Sequence, residues 1–102
     1  MKAQALTDAK SIPIRYTVHV GKKKYFERLL QSQKNVHFAD FEWLVQAFGF
    51  VLIRTNGSHY VYKHPRVSEL LSLQSVKGQA KPYQITEFLA YIEAYQLTME
   101  DE

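Results

Sequence analysis

An α+β sandwich, in which helices cover one face of a three-stranded antiparallel sheet, is the fold that the sequence predicts. Two stretches rich in β-branched and aromatic residues, 50–55 and 58–63, flank Asn56-Gly57, and residues 70–76 are predicted to form a third strand. Apolar residues at helical spacing come before these strands and after them. Strands that follow one another in sequence, with helices on either side, favour a sheet that carries its helices on one face.

Length and composition limit the class of protein. With 102 residues the chain has room for one hydrophobic core, which we assign to residues 20–102. No segment has the apolar length that a bilayer requires, so we expect no membrane partner. The chain has no cysteine, which excludes disulfides and thiolate metal sites and suits a cytoplasmic protein.

Charge is unevenly distributed along the chain. Residues 1–36 contain eight Lys or Arg and two acids, for a net charge of +6, whereas residues 84–102 contain five acids and no Lys or Arg. A basic surface attracts phosphate backbones irrespective of sequence. An ordinary solvated surface explains so small an excess equally well, so charge alone leaves both interpretations open.

The first 19 residues are expected to be an extension of the domain. Met1–Ser11 shows no apolar periodicity, and translation from a start near Val20 is one explanation of the extension. The alternative is that Ile12–Val20, where apolar and other residues alternate, adds a strand to a sheet edge in this chain or in a partner. We favour the extension because an isolated added strand gains little stability without partners.

Three helices are predicted in the remainder of the chain. A short one contains Phe26 and ends near Gln33, and a second begins near Phe38 and ends before Gly49, where a left-handed residue suits a helix terminus. Pro82 opens the last helix, because its missing N–H costs nothing in the first turn. Their apolar stripes are formed by Phe26, Leu29 and Leu30, then Phe38, Phe41, Leu44, Val45 and Phe48, and finally Ile85, Phe88, Leu89 and Ile92.

The first two strands form the predicted hairpin that carries the candidate site. Asn56-Gly57 is the strongest short hairpin signal, because a type I′ turn requires positive φ at both central residues. A two-residue turn there pairs Thr55 with Ser58 and places Arg54 directly opposite His59. Gly78 then ends the third strand, Leu70–Val76.

His59 is the candidate catalytic residue. A histidine near neutral pH serves as a general base or acid in phosphodiester cleavage, where the RNA 2′-hydroxyl is the nucleophile and no metal or other cofactor is needed. A cation such as Arg54 beside it can bind the phosphate. The competing interpretation is a strand histidine that only packs and forms hydrogen bonds, which is the more common case for a histidine taken alone.

Other residues around His59 favour an RNA-binding surface. Gly57 and Ser58 form a turn that a ligand backbone can approach closely. The last helix begins after Lys77-Gly78-Gln79-Ala80-Lys81, where free N–H groups favour phosphate. Tyr60 and Tyr62 offer aromatic faces to bases, although strand tyrosines more often pack in a core. The predicted RNA-binding residues are Arg54, Gly57, Ser58, Tyr60, Lys63, Lys77 and Lys81.

Two sequence blocks resemble the HicA family of toxins. The first runs Phe48-Gly49-Phe50 and then Gly57-Ser58-His59-Tyr60-Val61-Tyr62-Lys63-His64-Pro65, which is similar to the family's "GF", "GSH" and "HP" elements. The second, Leu73-Gln74-Ser75-Val76 followed by Ala80-Lys81-Pro82-Tyr83-Gln84-Ile85, resembles a family variant with "LQ" and "AKPYQ" before the last helix. The resemblance covers about Val20 to Glu102, and the two blocks occur in the family's order.

The resemblance implies a double-stranded-RNA-binding-like fold with the order α-β-β-β-α. It also implies a ribonuclease that cleaves messenger RNA, His59 as the catalytic histidine, and a HicB-type antitoxin as a protein partner. The sequence departs from the family at Tyr60, where relatives often have a second histidine. If that histidine shares the proton transfers, activity is lower here.

The remaining histidines have simpler explanations. His64 precedes Pro65 and is expected to shape the end of its strand, and His37 stands at the start of a helix. No histidine pair has the i, i+4 spacing of a helical metal site, so no metal is expected. Two alternatives to an enzyme stay open: an RNA-binding module that does not cleave, and a domain whose basic front docks an acidic partner.

Overall fold

The structure, a computed structural model, describes residues 21–99. Its elements are α1 (Lys22–Gln31), α2 (Phe38–Ala47), β1 (Val51–Asn56), β2 (His59–Lys63), β3 (Leu71–Val76), β4 (Gln79–Ala80) and α3 (Pro82–Tyr95). The α+β class and the antiparallel sheet are therefore confirmed, but the sheet has four strands where three were predicted. The extension or added strand predicted at residues 1–19 lies outside the described residues. Within residues 21–99, no helix has the length and apolar character needed to span a membrane.

The helices begin and end close to the predicted positions. α1 stops at Gln31, two residues early, and the Gln33 side-chain amide donates to the carbonyl of Leu29 at 2.6 Å. After α2 the chain passes through Gly49 with a φ of 98°, as predicted for its terminus. Pro82 is the first residue of α3, and Lys81 is its N-cap.

The strands are antiparallel and lie in the order β1-β2-β3-β4. The fourth strand arises because the chain reverses at Lys77-Gly78 and pairs Val76 with Gln79. Both turn residues have positive φ, 53° and 78°, as a tight hairpin requires. Gly78 therefore closes a hairpin where it was expected only to end a strand, and His37 continues the sheet through a bridge to Gln79.

The first hairpin turns one residue later than predicted. Its loop residues are Gly57 and Ser58, so Asn56 pairs with His59 and Arg54 with Val61. The predicted pairing of Arg54 with His59, and of Thr55 with Ser58, is wrong. Gly57 has a φ of 63°, whereas Asn56 is not among the residues with positive φ. In this turn the first central residue takes the positive φ, and Gly57 adopts it without strain. Asn56 does not need a positive φ and therefore remains in the strand.

A β-bulge interrupts β1. Leu52 pairs with Tyr62 and Arg54 with Val61, which leaves Ile53 as an extra residue between them. Among the strands of residues 21–99, β1 lies at the edge of the sheet, and all six of its residues are exposed.

The core lies between the sheet and the layer formed by α2 and α3. The aromatic ring of Phe88 in α3 contacts those of Phe41, Phe48 and Phe50, with centroid distances of 5.3, 5.7 and 5.8 Å. α1 packs on α2 through Phe26, whose ring centre lies 5.1 Å from that of Phe48. Further fully buried side chains are Leu44, Val45, Tyr62, Val67, Leu71, Leu73 and Ile85.

Candidate nucleic-acid interface

The two faces of the sheet have different partners. Tyr60 packs against Phe38 at a centroid distance of 4.9 Å, and the buried Tyr62 donates its hydroxyl hydrogen to Glu42 at 2.5 Å. Both partners belong to α2 or its start, so these tyrosines point toward the helices. Because side chains alternate along a strand, His59, Val61 and Lys63 lie on the opposite face. We call this the open face, since no described helix packs on it.

The positions of Tyr60 and Tyr62 correct the prediction that they stack on RNA bases. Tyr62 has no exposed surface, and burial followed by its hydrogen bond to Glu42 raises the pKa of its hydroxyl well above the usual range. Tyr60 is half-buried at the rim of the core. The sheet separates both rings from His59, because neighbours along a strand point to opposite faces.

His59 and Arg54 share the open face. Arg54 pairs with Val61, which lies two residues from His59 on the same strand, so the side chains of Arg54 and His59 are diagonal neighbours. Diagonal neighbours in antiparallel strands are about 7–8 Å apart, within reach of long side chains. Arg54 is thus not opposite His59 as predicted, yet a single phosphate can contact both, and both are exposed.

Two turns lie beside His59 at one end of the sheet. The N–H of Ser75 donates to the carbonyl of Ser58 at 3.0 Å, which holds the Gly57-Ser58 turn against the end of β3. β3 then leads directly into the Lys77-Gly78 turn. The predicted residues Gly57, Ser58, His59 and Lys77 are therefore brought together, and we call this region the turn end.

Lys81 adjoins the turn end, because the preceding Ala80 pairs with Ser75, whereas Lys63 lies away from it. Lys81 is the N-cap of α3, and its Nζ lies 5.7 Å from the ring centre of the exposed Tyr83. Lys63 is on the open face but four residues along β2 from His59, a separation of about 13 Å at the usual rise of a strand. Lys63 thus extends the basic surface away from the turn end.

The sheet region is basic because it lacks carboxylates. No Asp or Glu occurs from Trp43 to Ser68 or from Leu70 to Thr86, whereas these stretches contain Arg54, Lys63 and Lys77 among their cations. A phosphate backbone crossing the open face or the turn end meets no acidic side chain from the strands. The modest net charge of the whole chain does not reveal this local excess.

The other two described histidines have structural positions. His64 is buried, its Nδ1 accepts the N–H of Arg66 at 3.0 Å, and its Nε2–H donates to the carbonyl of Phe48 at 3.0 Å. It therefore fixes the chain after β2 against the C-terminus of α2, in agreement with the prediction that it shapes the end of its strand. His37 is the N-cap of α2, although its side chain makes no capping hydrogen bond. Within residues 21–99, no three His, Cys, Asp or Glu side chains cluster to hold a metal ion.

Gln84 is a residue that sequence reasoning missed. Its side chain is buried, and its Oε1 accepts the backbone N–H of Gln74 at 2.8 Å. Gln74 pairs with His59 across the sheet, so this bond ties α3 to the strand beside the candidate catalytic residue. A glutamine in an apolar helical stripe is the only sequence signal for such a role, and many exposed glutamines give the same signal.

The chain matches no protein-family model, no curated protein and no solved structure.

Proposed function

We propose that this protein is an endoribonuclease that cleaves messenger RNA without a metal, with His59 as its catalytic residue. One observation supports the proposal most strongly: an exposed histidine shares the open face with Arg54 and adjoins the Gly57-Ser58 and Lys77-Gly78 turns. An imidazole among cations, without nearby strand carboxylates, suits acid-base chemistry on a phosphodiester.

In the proposed reaction, His59 accepts the proton of the RNA 2′-hydroxyl. The 2′-oxygen attacks phosphorus, the bond from phosphorus to the 5′-oxygen breaks, and the proton held by His59 passes to that leaving oxygen. The products are a 2′,3′-cyclic phosphate and a 5′-hydroxyl end. Arg54 and Lys77 stabilise the negative charge that accumulates on the non-bridging oxygens.

The resemblance to the HicA family extends this proposal. A toxin of that family pairs with a HicB-like antitoxin and acts on messenger RNA, so we propose both partners and a cytoplasmic location for this protein. The elements α2, β1, β2, β3 and α3 follow one another in this order, with β4 inserted before α3. This order supports the double-stranded-RNA-binding-like α-β-β-β-α arrangement that the resemblance implies, and we propose that arrangement for the domain. The additional β4 and α1 are then elaborations of it.

The experiment is an RNA cleavage assay with purified protein, in the presence and absence of EDTA. We expect cleavage in both conditions, loss of cleavage in His59→Ala, and full cleavage by Lys23→Ala, an exposed position of α1. RNA that remains intact with the wild-type protein contradicts the enzyme. Cleavage that stops with EDTA contradicts the metal-free mechanism.

A second candidate is an RNA-binding module of the same fold that does not cleave. The position of Tyr60 favours it, because this side chain packs toward Phe38 and does not supply a second proton-transfer group on the open face. Such a module binds RNA with the same affinity in His59→Ala and leaves the RNA intact. The cleavage assay therefore separates the two functions.

A further inference from the structure

A cavity of about 230 Å³ opens between α1, the connection that follows it and the first turn of α2. The polar side chains that line it include Tyr25 and Arg28 from α1, Lys34 and His37 from the connection, and Asp40 from α2. Cavities that take drug-sized ligands or cofactors are usually larger, about 300–1,000 Å³. The volume therefore suits a group smaller than a drug-sized ligand.

Tyr25 has an unsatisfied polar atom in the wall of this cavity. Its hydroxyl is buried and has no hydrogen-bond partner among residues 21–99. Nearly all buried polar side-chain atoms in proteins are paired, so this exception requires an explanation. Burial, and then the Asp40 carboxylate, raise the pKa of Tyr25 well above its usual range, whereas Arg28 opposes them. The hydroxyl is therefore a hydrogen-bond donor at any physiological pH.

The hydrogen-bonding groups of the cavity are complementary to one kind of base. The Asp40 carboxylate accepts hydrogen bonds, and the Tyr25 hydroxyl and Arg28 guanidinium donate them. The Watson–Crick edge of guanine has two adjacent donors, N1–H and the N2 amino group, beside the acceptor O6. Uracil has no amino group, adenine has no carbonyl oxygen, and cytosine has one donor group where guanine has two adjacent ones. Lys34 at the cavity wall offers a cation to the adjoining phosphate.

The cavity adjoins the turn end of the sheet. His37 lines the cavity and bridges to Gln79 of β4. The next residue, Phe38, donates its N–H to the carbonyl of Gly78 at 2.9 Å. Only the width of one residue pair thus separates the cavity wall from the Lys77-Gly78 turn, and an RNA strand bound at that turn can continue into the cavity.

We propose that this cavity binds one unpaired guanine of the RNA substrate, with Tyr25 and Asp40 as the residues that select the base. The inference rests on the proposed function and adds to it a base preference at a position away from the cleaved bond. Reading a base edge requires that the base be unpaired, so the proposal also assigns single-stranded RNA as the substrate.

Trp43 provides the signal for a direct test, because it is the only tryptophan and its ring centre lies 6.2 Å from that of Tyr25. Its fluorescence is measured in the His59→Ala protein during titration with seven-nucleotide RNAs. These RNAs are uridine throughout, with guanosine, inosine or uridine at the central position. We expect guanosine to change the emission. Inosine is expected to bind about tenfold more weakly, because it lacks the amino group that donates a hydrogen bond to the Asp40 carboxylate. Uridine is expected to bind more weakly still.

Tyr25→Phe separates a recognition role from a structural one. The variant removes an unpaired buried hydroxyl, so its Tm is expected to stay the same or rise, while its preference for guanosine falls about tenfold. Tyr91→Phe is the matched control, since its hydroxyl bonds to Glu87 on the exposed side of α3, and its guanosine preference stays intact. A lower Tm with an unchanged preference overturns the proposal.

The remaining outcomes distinguish failure of the cavity from failure of the ribonuclease. If the wild-type protein cleaves RNA but the three oligonucleotides bind alike, the cavity proposal is wrong and the proposed function stands. If no RNA is cleaved or bound, guanosine monophosphate serves as the probe: a change in Trp43 emission that Tyr25→Phe abolishes supports the cavity, and no change overturns it. A change in Trp43 emission on addition of an acidic protein, with no change on addition of nucleotides, also overturns it.

Discussion

The buried Gln84 side chain in α3 accepts the backbone N–H of Gln74 in β3 at 2.8 Å. This bond takes the place that a longer β4 would occupy, because β4 pairs only with Ser75 and Val76 and stops before it reaches Gln74. A helix side chain therefore completes the hydrogen bonding of the strand that neighbours His59.

Gln84→Leu is expected to lower the free energy of unfolding by about 1–3 kcal/mol, because it leaves the Gln74 N–H without an acceptor in a half-buried position. Urea denaturation measures the change. Gln31→Leu, at an exposed position, is the control and is expected to have little effect. Equal stabilities of the Gln84 and Gln31 variants contradict the role assigned to this bond.

His64→Ala is expected to lower the free energy of unfolding by about 2–4 kcal/mol, since it removes partners from both the Phe48 carbonyl and the Arg66 N–H. His59→Ala is the matched histidine variant, and its exposed side chain predicts a change below about 0.5 kcal/mol. Denaturation of the two variants side by side separates a structural histidine from a catalytic candidate. Comparable losses in both contradict this assignment.

The 2′-hydroxyl is expected to be essential for cleavage, because the proposed reaction uses it as the nucleophile. An RNA with 2′-deoxyribose on the 5′ side of the cleaved bond is expected to bind normally and remain intact. The all-ribose RNA is expected to yield a 2′,3′-cyclic phosphate, which mass spectrometry of the products detects. Cleavage of the deoxy-substituted bond contradicts the mechanism.

Charge removal at the turn end is expected to reduce the salt dependence of RNA binding. In a Lys77→Gln/Lys81→Gln double variant, the slope of the logarithm of affinity against the logarithm of salt concentration falls by about 1.4 for a single strand. A Lys23→Gln/Lys24→Gln variant loses the same charge on the exposed side of α1 and serves as control. An equal reduction in both variants shows a diffuse effect of net charge and contradicts a phosphate-binding turn end.

Deletion of residues 1–19 is expected to change Tm by less than about 4 °C, which corresponds to less than about 1 kcal/mol for a domain of this size. The reason is that Met1–Ser11 has no periodic apolar residues with which to contribute to a core. Thermal unfolding of the full and shortened chains tests this. A large drop in Tm shows that the segment belongs to the fold and favours the added strand of Ile12–Val20.

Much of the fold could be predicted because local signals determine it. Pro82 and Gly49 mark helix ends by their backbone preferences alone, and β-branched and aromatic residues are enough to identify β1 and β2. The register of the hairpin could not be predicted, since Asn56-Gly57 and Gly57-Ser58 both offer glycine to a tight turn. The choice between them depends on pairing along the whole of β1, including the bulge at Ile53.

The candidate site was predicted in part for the same reason. Gly57, Ser58 and His59 are adjacent in sequence, so their proximity follows from the hairpin. The proximity of Lys77 depends on the third strand returning beside the second, which the antiparallel order anticipates. Gln84 and the cavity at Tyr25 depend on how helices pack on the sheet, and a linear pattern carries little information about such contacts.

The bulge at Ile53 also affects how the protein behaves at high concentration. An exposed edge strand that carries Val51, Leu52 and Ile53 is the kind of surface on which fibrils nucleate. The extra residue interrupts the regular spacing of the outward-pointing N–H and C=O groups of β1. A second strand with regular spacing can therefore form hydrogen bonds with only a few of them. The next residue is Arg54, and its guanidinium repels the Arg54 guanidinium of a second copy of the chain. The same irregularity that brings Arg54 opposite Val61 thus works against intermolecular sheet growth.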